Sequence, residues 1–163
     1  MKKILLTFIL LILVGCGQEQ GIEASKGIFP YIENFKREMG IKEISDHILT
    51  VIITPLENIK KASKSDEALA ICMKGNYRDT VMIPEEWLSY VIKNSYFAEY
   101  RIELLIYHEL GHCSLNYMDH DDRMLSNGHP ASIMNSYEMG SYEDLEYYKN
   151  NREYYINDLR SKK

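Results

Sequence analysis

Past its first thirty positions the chain alternates between two spacings of apolar residues. In "FPYIENFKREMG" the residues Ile32, Phe35 and Met39 recur at helical intervals, Pro30 is tolerated in the first turn, and Gly40 supplies a stop. The stretches "HILTVIITP", "ALAICMK" and "TVMIP" are short β-branched or apolar runs, the first closed by Pro55 and the last two separated by the turn-like "GNYRD". They predict three strands, with His47 a side chain at the opening of the first. Pro84 then suits the first turn of a helix through "EEWLSYVIKN", whose apolar stripe is Trp87, Leu88, Val91 and Ile92.

A longer helix is expected from about Phe97 to Leu115. At 100° per residue Ile102, Ile106, Leu110 and Cys113 share one stripe, Leu105 and Glu109 lie beside it, and His108 and His112 project together from its flank. The following "NYMDHDDRMLSNGHPASIMNSYEMG" is polar and rich in turn residues, so it reads as a loop, with Asn116 as a left-handed stop. "SYEDLEYYKNNREYYINDLRSKK" offers Ser141 as N-cap, Asp144 three residues on, and Leu145, Tyr148, Tyr155 and Leu159 in helical register, which predicts one final helix.

The first residues change the picture. "MKKILLTFILLILVGC" places two lysines before an apolar run from Ile4 to Val14, too short against the ~18 residues of a permanent span. It reads as an export signal of residues 1–15, and "LVGC" resembles the lipobox of bacterial lipoproteins, in which Cys16 is lipidated and heads the mature chain. Residues 16–27 are a polar tether, and residues 28–163 a single domain long enough for a core. The expected location is the cell envelope, anchored through the lipid, at the outer membrane if the cell has two. The formal net charge is −5, and more negative once Lys2 and Lys3 leave with the leader, which argues against nucleic acid as a partner. With Cys16 assigned to lipid, Cys72 and Cys113 remain, and in an oxidising compartment a leftover pair is expected to be bridged. No C-x-x-C supports a redox protein.

The chemistry concentrates in "HELGHC". His108 and His112, one helical turn apart, are the imidazole pair that zinc requires, and Glu109 is a carboxylate placed to take a proton from a zinc-activated water. A third ligand must come from the loop, where His120 is weighed first and Asp119 and His129 remain alternatives. The acidic run from Asp119 to Asp122 lacks the alternating oxygen ligands and distal Glu of a calcium loop.

"HELGHC", the later "DHDD" and then "PASIM" resemble the zincin metallopeptidases, specifically a small metzincin-like group of bacterial lipoproteins. The resemblance implies an α+β zincin-like domain in which a short mixed sheet packs on an active-site helix and a C-terminal helix follows. It implies one Zn2+ per chain held by His108, His112 and His120, with Glu109 as general base and Met134 as the methionine of a turn beneath the metal. "TVMI" would be the strand along which a substrate peptide lies, and Tyr137 an oxyanion stabiliser. The usual metzincin spacing would need glycine where Leu115 stands and a ligand where Met118 stands; moving the turn to Asn116 brings Asp119 into that place and His120 one residue later. Hydrolysis of peptide or protein substrates at the envelope is the expected activity. The rival is a non-catalytic zinc-binding surface lipoprotein that acts by binding a partner.

Overall fold

The computed structural model describes residues 27–41, 48–66, 68–75 and 78–163. Cys16, the leader, most of the tether and His47 lie outside the described residues. Helix α1 (Phe29–Met39) carries Pro30 in its first turn and ends at Gly40, whose φ of 63° is open to glycine at little cost. The order then runs β1 (Ile48–Thr54), α2 (Leu56–Ser63), β2 (Ile71–Met73), β3 (Arg78–Pro84), α3 (Glu85–Asn94), α4 (Ala98–Ser114), α5 (Tyr142–Asn150) and α6 (Arg152–Ser161). The architecture is α+β, as expected, with a small mixed sheet.

Strand order is β1-β3-β2, with β1 parallel to β3 and β2 antiparallel to it. Thr80, Val81 and Met82 of β3 are therefore paired on both sides. This corrects the reading of "TVMI" as the strand for a substrate peptide, because a central strand has no main-chain groups left to offer. The free edge on that side belongs to β2. Leu49, Val51, Val81 and Ile83 alternate into the core with Ile32 and Phe35 of α1, Ile106, Tyr107 and Leu110 of α4, and Tyr148, Tyr155 and Leu159 of the last two helices. The Phe35 and Tyr107 rings meet edge to face, with centroids 5.2 Å apart.

Three local expectations need correction. Pro84 is the last residue of β3 and the N-cap of α3, not a first-turn residue, and Ile92 of the predicted stripe is exposed. The expected final helix is two. Asn151 leaves helical geometry (φ −121°, ψ 23°) and its side-chain amide donates to the Tyr147 carbonyl, an interaction that competes with continued helix and lets α6 turn back onto the core. Helix α2 has no counterpart in the sequence reading; it packs on β3 with Ile59 as its buried residue, too narrow a face to register as a period.

A polar network ties four helices together, α1, α4, α5 and α6. The Arg152 guanidinium spans Glu103 of α4 (2.8 and 2.9 Å) and Glu38 of α1 (2.9 and 3.0 Å), while the Tyr148 and Tyr107 hydroxyls donate to the same two carboxylates at 2.7 and 2.8 Å. Each carboxylate is multiply hydrogen-bonded, as partly buried charges must be.

A disulfide joins Cys72 of β2 to Cys113 of α4, with Cα atoms 5.6 Å apart. It clamps the edge strand to the histidine-bearing helix. Lys74 adds a second tie, its ammonium donating to the Cys113 carbonyl at 2.6 Å near the negative end of α4. Replacing both cysteines by alanine is expected to lower stability by about 3–4 kcal/mol, the chain-entropy value for a loop closed across 41 residues. The urea midpoint of the double variant measures it; an unchanged midpoint would show that the bridge adds nothing to the fold.

Candidate metal centre

Helix α4 is buried along most of its length, and His108 and His112 are half-buried on the side where it meets the cleft. Both rings are oriented by main-chain carbonyls: Nδ1 of His108 lies 2.9 Å from Ile133 O and Nδ1 of His112 lies 2.6 Å from Tyr117 O. A carbonyl only accepts, so each Nδ1 must carry the proton. Both Nε2 atoms are then bare lone pairs, and they face each other at 3.1 Å. Two bare acceptors at that distance repel unless a cation sits between or beside them.

His120 completes the group. Asn116, at φ 58°, turns the chain after α4, the Tyr117 N–H returns to the Gly111 carbonyl at 3.1 Å, and the Asp121 N–H donates to Met134 O at 2.7 Å. This course brings the His120 ring to 5.2 Å from that of His108 and 5.1 Å from that of His112, centroid to centroid. One nitrogen from each of the three rings lies within 4.8 Å of the others, a set that could hold a metal ion. The donor chemistry fits: three neutral imidazoles suit zinc, and the carbonyl contacts on the far nitrogens are the outer-shell bonds such ligands usually carry.

Burial holds the His108 pKa down to about 4, against a partial rise from the Ile133 carbonyl, with His112 and His120 adding to the depression. Burial also lowers that of His112. Both rings are therefore neutral at neutral pH, the form that ligates. Glu109, 5 % exposed, is pushed up to about 8 by burial, while the main-chain N–H of Cys72 favours its charged form.

Beneath the histidines, Met134 is fully buried in the turn of residues 131–135. A β-carbon on Gly111 would overlap its Sδ, so glycine at this position lets the turn close against α4. The turn is held by Ser132, whose hydroxyl accepts from the Met134 N–H at 3.1 Å and donates to Asp158 at 2.7 Å. In front lies a cleft of about 380 Å³, with β2 and the residues before it on one side and residues 135–139 on the other. His108, Glu109, His112 and His120 line it together with apolar groups including Leu69, Leu104, Leu105 and Met139. Tyr137 stands on its rim, 78 % exposed. Glu138 is paired with Arg101, whose Nε lies 3.0 Å away, and the same guanidinium lies over Trp87.

The structure thus brings His108, His112 and His120 together with Glu109 and Tyr137 around one cleft, with Met134 buried in the turn next to it. Asp119 is exposed and outside the cluster. His129 is engaged elsewhere, stacked on Tyr147 at 4.1 Å with Nδ1 2.8 Å from Asp144. The carbonyls of Ile133 and Tyr117 escaped the sequence reading because a main-chain oxygen has no residue signature. No protein-family model matches this chain, and searches of curated proteins and of solved structures found no similar protein.

Proposed function

We propose that this chain is a zinc-dependent peptidase of the zincin type, holding one Zn2+ through His108, His112 and His120 and hydrolysing peptide bonds in the adjoining cleft. The observation that carries the reading is the pair of bare Nε2 atoms at 3.1 Å, fixed in that tautomer by the Ile133 and Tyr117 carbonyls. Bound there, zinc supplies a Lewis acid that polarises a carbonyl and makes water a nucleophile at neutral pH. Glu109, next along the helix from His108 and lining the same cleft, would accept the proton of the attacking water in its charged form, which the Cys72 N–H and the charge of a bound Zn2+ favour against the burial that raises its pKa, and would return it to the leaving amine. β2 is the edge strand that lines the cleft, so an extended peptide would lie along it beside the Cys72 N–H that faces Glu109, and Leu104, Leu105 and Met139 give the cleft room for an apolar side chain. Tyr137, on the rim, is the residue assigned to hold the developing oxyanion.

A non-catalytic zinc-binding surface protein is less well supported. Among the described residues no fourth His, Cys, Asp or Glu joins the three, and catalytic zinc keeps such a position open. Lipidation at Cys16 would bring this chemistry to protein or peptide substrates at the cell envelope. The test is the chain from Gly21 onward, zinc-loaded and incubated with a mixed peptide library read by mass spectrometry. Cleavage should appear, stop on chelation and return with added zinc; fully zinc-loaded protein that cuts no peptide would favour the binding reading.

A further inference from the structure

Two of the three histidines depend on groups that a single lysine touches. Lys162 follows α6, and its side chain is only 8 % exposed. Its ammonium lies 2.8 Å from Asp121 Oδ2, 3.4 Å from Asp158 Oδ2 and 5.1 Å from the centroid of the Tyr117 ring. Asp121 is the residue after His120, and its N–H is bonded to Met134 O. Tyr117 supplies the carbonyl that orients His112, and Asp158 accepts the Ser132 hydroxyl that closes the turn under the cluster. The loop bearing Tyr117 and His120 has no helix or strand of its own to hold it, so its position must come from contacts such as these.

We propose that Lys162 is a positioning residue for the metal site, bracing the His120 loop and the His112 carbonyl partner against α6. This inference rests on the metal reading above. Arg123 also binds the Asp121 carboxylate, at 2.7 and 2.6 Å, but its side chain is 69 % exposed, and exposed ion pairs hold geometry weakly. Lys162 is the buried partner, so its loss leaves Asp121 and Asp158 with only the exposed Arg123 guanidinium, 2.6 Å from the first and 3.8 Å from the second, and the loop is held less firmly. Outer-shell partners of metal ligands typically cost 10–100-fold in metal affinity when removed, and a loss of about that size is expected here.

The test uses the full chain in detergent, stripped of metal and titrated with zinc against a chromophoric chelator, then with Co2+ to record its visible absorption. Lys162→Met should bind zinc about 10–100-fold more weakly and show an altered Co2+ spectrum, while Lys162→Arg, which restores the charge, stays near wild type. Arg160→Ala is the control two residues earlier, at the end of α6: its guanidinium bonds the Glu38 carbonyl and Asn157, away from the loop, so it should lower the unfolding midpoint and leave zinc affinity alone. If Lys162→Met does not fold, Lys162→Gln, which keeps a polar tip at the same depth, gives the same comparison. Unchanged zinc affinity without the lysine charge, or an equal loss in Arg160→Ala, would overturn the positioning role while leaving the metal reading intact. Wild-type protein that takes up no zinc would overturn both.

Discussion

Glu109→Gln is expected to retain about one zinc per chain and to lose peptide hydrolysis by roughly 10²–10⁴-fold, the usual contribution of a positioned general base. The amide has the shape of the carboxyl group and the same single helical position, so the imidazoles of His108 and His112 keep their carbonyl partners. What disappears is the capacity to take a proton. Glu109 is not one of the three clustered ligands, so metal content should not follow activity down. Elemental analysis beside a cleavage rate on one peptide separates the two quantities. Full activity in the glutamine variant would refute the proton-transfer role, and loss of zinc along with activity would mean that the carboxylate is itself a ligand.

His120→Ala should act on the other quantity. Two imidazoles on one helix hold a metal poorly without a third protein ligand, so zinc affinity should fall by more than the roughly 10–100-fold typical of outer-shell losses. Asp119→Ala should leave it near wild type, since that side chain is exposed and outside the cluster. His129→Ala should also bind zinc normally while losing some stability, because it breaks the contact with Asp144 and the stack on Tyr147. Competition titration of the three variants decides the assignment. Zinc lost from Asp119→Ala and kept in His120→Ala would move the third ligand to the aspartate.

The sequence by itself determined whatever depends on neighbours within one or two helical turns. A period of 3.6 residues put His108 and His112 on one flank of α4 and turned Cys113 inward, and β-branched runs marked the three strands. Gly40 and Asn116 signalled the helix ends because few other residues accept positive φ. The expectation of export, taken from the first sixteen residues, led to that of a Cys72–Cys113 bridge, and the bridge is present in the fold.

Only the tertiary structure decided the rest. Three residues of one acidic loop competed for the third ligand position in the sequence. It is the tertiary structure that brings His120, and not Asp119 or His129, beside His108 and His112, in a loop whose Asp121 contacts Met134 and Lys162, 13 and 41 residues further along the chain. Whether β2 or β3 forms the edge beside the cleft is a matter of strand order, which alternation within a strand does not encode. The tautomers of both helix histidines are set by carbonyl oxygens of Ile133 and Tyr117, and every residue carries such an oxygen. Local pattern reports the covalent neighbourhood of a side chain, whereas the direction of a lone pair is fixed by whichever distant segment packs against it.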